Sequence, residues 1–305
     1  MGGRNFDLSC SLGMENDGTN MSPFLRKLFK EWDDRKAMGL FHHDISFCET
    51  KVLPGEHNFV ATLIEGRDQK KRPTEFGMNQ VLQPFDSGKF NFTKVSPEEV
   101  IFRFHESGND SAQYFDGAPQ SVSASPSAIL INVSPIGYCH VLLIPRIQDC
   151  LPQRIDQESF LLAMYTTKEA RNPFFRVGYN SLGGFATINH LHFQGGMNLE
   201  DLSDVVSKVC IFLQGNNRPF NCYSEKQLLG KASQEFLDMR INPAIWELSG
   251  HLVLKRRKDY DEASEAKICN FLVEASLSGT EFQELKRCVL EFLSSAFRFS
   301  SGINT

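Results

Sequence analysis

The sequence predicts an α+β protein: an antiparallel sheet with flanking helices. Two observations carry that expectation. Apolar segments of strand length come in adjacent pairs, as in "AILINVSPIGYCHVLLIPR", where 128–133 and 140–145 are joined by a turn at Ser134-Pro135. Helical stripes lie before and after these pairs, without the strict strand–helix alternation of a doubly wound sheet.

The elements follow in order. Phe24, Leu25, Leu28, Phe29 and Trp32 form a helical stripe ended by Gly39. Residues 57–65 have β-type composition, and "EVIFRFH" at 99–105 alternates as a half-buried strand does. A Gly/Ser/Pro/Asp-rich loop spans 106–127. Asp156 caps a helix running to about Arg171 with Phe160, Leu161, Met164 and Tyr165 inside. "FRVGYNSLGGFATINHLHFQ" supplies a strand, a glycine-rich turn and a second strand. Asn198 caps a helix with Leu202, Val205, Val206, Val209 and Phe212 on one face, stopped by Gly215. Residues 244–255 read as two short strands across Ser249-Gly250. Thr280 with Gln283 forms a capping box before a last helix with Phe282, Leu285, Val289, Phe292 and Leu293 inward. Three parts result: a disordered 1–23, a catalytic half at 24–196, and a C-terminal half at 197–305 that completes the sheet.

Composition narrows the function classes. The chain has 305 residues, 41% apolar and 23% charged, with a net charge of −5. That balance gives no general field for nucleic acid or an anionic membrane surface, so neither is expected as a partner. Eight cysteines without CxxC spacing read as reduced thiols. No run approaches the roughly twenty apolar residues of a membrane helix. The expectation is a soluble protein of the cytoplasm, with the nucleus also open to it.

"NHLHFQGG" at 189–196 carries the chemistry. In a strand, His190, His192 and Gln194 share one face, and Leu191 and Phe193 the other. An imidazole that attacks phosphorus must be neutral, held in one tautomer and oriented through its other nitrogen. His192 fits that role if a backbone carbonyl fixes one ring nitrogen, with His190 and Gln194 on the phosphate oxygens. A metal site needs a third ligand, which no nearby HExxH, CxxC or carboxylate cluster offers, so neither metal nor cofactor is expected. The glycines around Asn180 and Ser181 permit close backbone approach to a phosphate, or simply a tight turn. His140 opens a strand. Arg67, Lys70, Lys71 and Arg72 either meet terminal phosphates or face water as a solvated charge run.

"INVSPIGYCHVLLIPR" and "GYNSLGGFATINHLHFQ" resemble the histidine-triad superfamily in its nucleotidyltransferase branch. "CETKVLPGEHNFVATLIEGRDQKKRPTEF", "KFNFTKV", "CLPQRID" and "NPAIWELSGHLVLKRRKDY" resemble the GDP-L-galactose phosphorylases of plants, and less closely the animal GDP-D-glucose phosphorylases. The resemblance implies a histidine-triad-like sheet, GDP-hexose and inorganic phosphate as substrates, and a place in L-ascorbate biosynthesis. It further implies attack by His192 on the α-phosphorus, with Gln194 and His190 beside it and Asn180, Ser181, His140 and Arg72 on the phosphates or nucleotide. A homodimer is compatible with it.

The chain departs from that pattern twice. Gln194 runs at once into Gly195-Gly196, and Phe220-Asn221 into Cys222, where the family carries further residues. The expectation is a shortened form whose sheet is incomplete in its second half, with the two glycines marking a missing segment. A catalytically weak, nucleotide-binding or regulatory form is the second reading, and a histidine-triad nucleotide hydrolase the third. Cys139 stands where the family has glycine, which matters if that position needs positive φ.

Overall fold

The computed structural model describes residues 21–69, 72, 75–76, 82–104, 125–197, 209–211, 230, 232–239, 241–276, 278–280, 282–284 and 286–287. Its strands are β1 (Thr50–Val52), β2 (Val60–Leu63), β3 (Val100–Phe104), β4 (Ser127–Ile131), β5 (Val141–Ile144), β6 (Phe175–Tyr179), β7 (Phe193–Met197), β8 (Val209–Ile211) and β9 (His251–Leu254). Its helices are α1 (Pro23–Ala37), α2 (Gln157–Ala170), α3 (Gln234–Met239), α4 (Ile245–Leu248), α5 (Arg257–Asp261) and α6 (Glu265–Ala275). Further helical residues begin at 279.

Two sheets organise these elements into an α+β fold. The larger has strand order β3-β4-β5-β7-β6-β8, antiparallel throughout except for the parallel β6–β8 edge pair. The smaller has order β1-β2-β9, and its β2–β9 pair is parallel, matching Val60 with His251 and Leu63 with Leu254. The C-terminal part of the chain therefore shares a sheet with residues near position 60.

Alternation along β5 and β7 separates the faces of the larger sheet. Val141, Leu143, Phe193 and Met197 pack with Phe24, Leu25, Leu28, Phe29 and Trp32 of α1 in one core. α1 starts as its sequence dictates: Ser22 Oγ accepts from Leu25 N at 3.1 Å, and Pro23 occupies the first turn, where its missing N–H costs nothing. α2 lies on the same side, capped by Asp156, which accepts from Ser159 N at 2.7 Å. Its buried face is Ser159, Ala163, Thr166, Thr167 and Ala170. The expected stripe is thus rotated: Phe160, Leu161 and Tyr165 are half-buried and Met164 is exposed. Small residues let the helix approach the sheet, and the two buried threonine hydroxyls donate back to Leu162 O and Met164 O. The smaller sheet has its own core, in which Phe59, Ala61, Leu63, Leu252 and Leu254 meet Ile268 and Phe271 of α6.

Four expectations are corrected. Residues 209–211, placed in a helix, form edge strand β8, and the rest of that helix lies outside the described residues. Residues 245–248, placed in a strand, form α4 ahead of β9. Phe282, expected inward, is 54% exposed, and helical structure from residue 279 puts Thr280 inside the helix instead of at its cap. Gly195 and Gly196 do not turn. They lie inside β7, paired with Val141 and Val177 and with Arg176. Central pairing on both sides holds the glycines in the strand despite their intrinsic cost there. Among the described residues no helix is long and apolar enough to cross a membrane.

The glycine at 196 has a packing reason. A Cβ there would stand 3.1 Å from the Trp246 ring and 3.3 Å from His140 Cα. Gly196→Ala is therefore expected to destabilise the protein by about 1–3 kcal/mol, measured as a lowered urea midpoint. Gly39→Ala is expected to lower that midpoint through φ +72 alone, since nothing lies within 4 Å of its Cβ.

Candidate active site

The quoted motif is strand only from Phe193; residues 189–192 approach β7 as an irregular segment. That segment needs other partners for its backbone, and Gln153 provides them. Its Oε1 accepts from His192 N at 2.9 Å, and its Nε2 donates to His192 O at 3.0 Å and Asn180 O at 2.7 Å. Gln153 is itself held: its N donates to Asn189 Oδ1 at 2.8 Å, and Tyr179 Oη donates to its carbonyl at 2.7 Å. Gln153 is buried, and as a lone glutamine in a loop it carries no pattern that the sequence alone reveals.

This clamp sets up His192. Its Nδ1 lies 2.8 Å from the His190 carbonyl, an acceptor only, so Nδ1 carries the hydrogen and Nε2 keeps its lone pair. Burial lowers its pKa to about 4, with the His190 carbonyl raising it in part, so the ring is neutral at pH 7. His192 lines an open cleft with Gln194, Arg67, Arg72, Phe92 and Ile188 among its neighbours.

His190 is placed differently from the expectation. Its Nδ1 accepts from Phe92 N at 3.1 Å, and its ring packs 5.5 Å from Phe92 and 5.4 Å from Phe85. It is fully buried and does not line the cleft that holds His192. Ending the strand at Phe193 removes the strict alternation that would have put the three polar side chains on one face. His190 instead orients the motif, because its carbonyl fixes the His192 tautomer.

Gln194 is held by two donors. Its Oε1 accepts from Trp246 Nε1 at 2.9 Å and lies 3.3 Å from His140 Nε2. His140 Nδ1 accepts from Ile136 N at 3.1 Å, so its Nε2 carries the hydrogen and also donates to Gln194. Asn132 Nδ2, 3.2 Å from that same Nε2, is then a packing neighbour. With the oxygen occupied, the Gln194 amide N–H₂ is the end left to a ligand. His140 thus acts on Gln194 and lines neither cleft described here; burial lowers its pKa to about 3, helped by the Arg67 charge. The Trp246 ring packs edge-on to His140 at 5.3 Å and to His251 at 5.9 Å.

The remaining expected residues divide. Asn180 lines a second cleft, and its Oδ1 accepts from Ile245 N at 2.9 Å, anchoring α4. The Ser181 carbonyl accepts from Gly184 N at 2.9 Å and Ala186 N at 3.0 Å, so those two N–H groups are already engaged. The left-handed residue of that loop is Phe185, φ 70, which lines both clefts. Arg72 lines the first cleft with its NH2 committed to both Glu99 oxygens, at 2.9 and 2.7 Å, and its guanidinium over the Phe90 ring at 4.5 Å. Arg67 lines both clefts; burial lowers its pKa to about 10, while Glu247 raises it in part. Cys139 is buried at φ 56, so the position does require the left-handed region, and here a cysteine bears that strain. Among the described residues no group of three or more His, Cys, Asp or Glu stands together as a metal site.

A buried neutral imidazole with a fixed tautomer, beside an amide and two arginines, has the chemistry that nucleophilic work on a phosphoryl group requires. Comparison with known proteins shows the family. The chain matches the GDPGP1-like N-terminal domain over residues 23–196 and the GDPGP1-like C-terminal domain over 187–296, and it belongs to that family. It is 47% identical over 317 residues to GDP-L-galactose phosphorylase 1 of Arabidopsis thaliana, covering 86% of this chain and 72% of that protein. It is 45% identical over 358 residues to GDP-L-galactose phosphorylase 2 of the same plant, covering 98% and 81%. Similarity to GDP-D-glucose phosphorylase 1 of Homo sapiens is lower, 27% over 339 residues. The solved structure of yeast Ap4A phosphorylase Apa2 aligns with 84% of the chain at TM-score 0.49 and 13% identity. The 358 aligned positions exceed the 305 residues here by 53, so at least that many positions of the relative have no counterpart in this chain.

His140, His190, His192 and His251 all have pKa values lowered by burial, to about 3, 4, 4 and 4. The unfolded chain, with histidines near 6.5, then binds more protons than the folded one between pH 6.5 and 4. Stability is present in full above pH 6.5 and is lost as pH falls toward 4. Urea midpoints at pH 8 and 7 are expected to agree closely, with a steep decline by pH 5.

Proposed function

We propose that this chain is a GDP-hexose phosphorylase acting on GDP-L-galactose, through a guanylylated His192. The observation that carries the reading is the fixed tautomer of His192, whose Nε2 lone pair is left available to the cleft. The relatives named GDP-L-galactose phosphorylase support the choice of substrate. Nε2 attacks the α-phosphorus, the P–O bond to the hexose phosphate breaks, and L-galactose 1-phosphate leaves. A phosphate oxygen then attacks the same phosphorus, the P–N bond breaks, and GDP leaves with His192 neutral again. The Gln194 amide donates to a phosphoryl oxygen without supplying a proton to the leaving group or activating water. L-ascorbate biosynthesis and a cytoplasmic location follow from the family resemblance, and both belong to this proposal.

Intact-mass measurement after incubation with GDP-L-galactose, without phosphate, is expected to show a gain of one GMP. The gain is expected to be absent in His192→Ala and reversed by phosphate. Folded protein that gains no GMP would overturn the reading and favour a nucleotide-binding or regulatory short form. Trp246→Phe, which removes one donor to Gln194, is expected to slow the guanylylation step about tenfold, corresponding to about 1.4 kcal/mol, in single-turnover kinetics.

A further inference from the structure

Arg67 stands where two clefts meet. The first cleft holds His192, and the second is lined by Asn180, Asn242, Trp246, Glu247 and Lys255; Arg67, Phe185 and Gln194 line both. Arg67 sits on a 3₁₀ turn directly after β2, so the smaller sheet positions it. One terminal nitrogen donates to the Ser134 carbonyl at 3.0 Å. Its Nε is shut off from solvent and has no hydrogen-bond partner. A half-buried guanidinium with one buried, unmet donor is unfavourable on its own and favourable beside an anion. Its planar fork suits phosphate oxygens in a way a lysine does not.

We propose that the second cleft, with Arg67 at its throat, is the subsite for the phosphate group that enters or leaves: inorganic phosphate, or the phosphate of a sugar 1-phosphate. Its role in turnover rests on the reading of His192 as nucleophile; its affinity for phosphate does not. In-line transfer puts the leaving and entering oxygens on the side of the phosphorus opposite His192. The same position serves both phosphates, because one half-reaction is the reverse of the other in kind. The first cleft is left for the rest of the nucleotide, with Phe92, Leu142, Phe185 and Ile188 among its polar lining as apolar surface for the base. Arg72 is the weaker candidate, because its guanidinium is held by Glu99. Glu247 lines the second cleft and limits how much negative charge it takes, and Lys255 offsets it.

Calorimetric titration of the full chain with inorganic phosphate, in the absence of nucleotide, tests the subsite. Wild-type protein is expected to bind, and Arg67→Gln to bind at least tenfold more weakly. No binding by the wild type, or equal binding by Arg67→Gln, overturns the proposal. If Arg67→Gln does not fold, phenylglyoxal modification of the wild type, read by peptide mass, gives the answer. Phosphate is expected to slow labelling of Arg67, and labelling at an unchanged rate overturns the proposal. Phosphate binding that depends on Arg67, in protein that never gains GMP, would keep the subsite and remove the phosphorylase reading. GMP gain with phosphate binding indifferent to Arg67 would do the reverse.

Discussion

The carboxamide of Gln194 is the joint on which the site depends. Its oxygen receives Trp246 from α4 and His140 from the start of β5, while its backbone sits in β7 between Leu142 and Gly178. An amide has one acceptor end and one donor end, so occupying the oxygen decides what the cleft is offered. Trp246 reaches that oxygen because Gly196 leaves room for its ring. Trp246 belongs to the small cluster with Ile64, Ile136 and Val253 that joins the two sheets. The orientation of one amide thus depends on how the smaller sheet is seated on the larger.

Burial of neutral imidazoles is the second theme. Four histidines are kept uncharged by desolvation, and each is placed by backbone, amide or hydroxyl partners instead of by carboxylates. His251 illustrates this, with Nε2 2.9 Å from Thr62 Oγ1 across the β2–β9 pair. A carboxylate partner would raise the pKa of His192 and favour its protonated, non-nucleophilic form. The polar partners here fix geometry without adding charge, which suits a nucleophile at neutral pH.

Much of this was legible in the sequence, and the failures have identifiable causes. The α1 stripe appears because five large apolar residues recur at helical spacing with nothing competing. The paired strands β4 and β5 are legible because both are continuous apolar runs around a turn. His192 stands out in the sequence because its neighbours at ±2 make a pattern. The pattern misled for His190, since an irregular backbone at 189–192 breaks the period of two. It misled again at Gly195-Gly196, because glycine signals a turn only when no neighbouring strand claims it. Gln153 was hidden by distance: its part exists only after a loop far away in sequence is brought against His192, and Arg67 stood out only as one of a basic run that could equally face water.

The parallel pairing of β2 with β9 has a consequence for synthesis. Thr62 and His251 lie 189 positions apart, and every residue between them must leave the ribosome before they can meet. The strands of the larger sheet through β7, with α1 and α2, are complete once residue 197 has emerged. His192 and its Gln153 clamp can therefore form early, while the Trp246 wall and the seat of Arg67 wait for the C-terminal part. A nascent chain stalled in between would carry the clamped His192 with the second cleft still unbuilt. For some seconds of translation it would be a half-assembled site, its second sheet still waiting for β9.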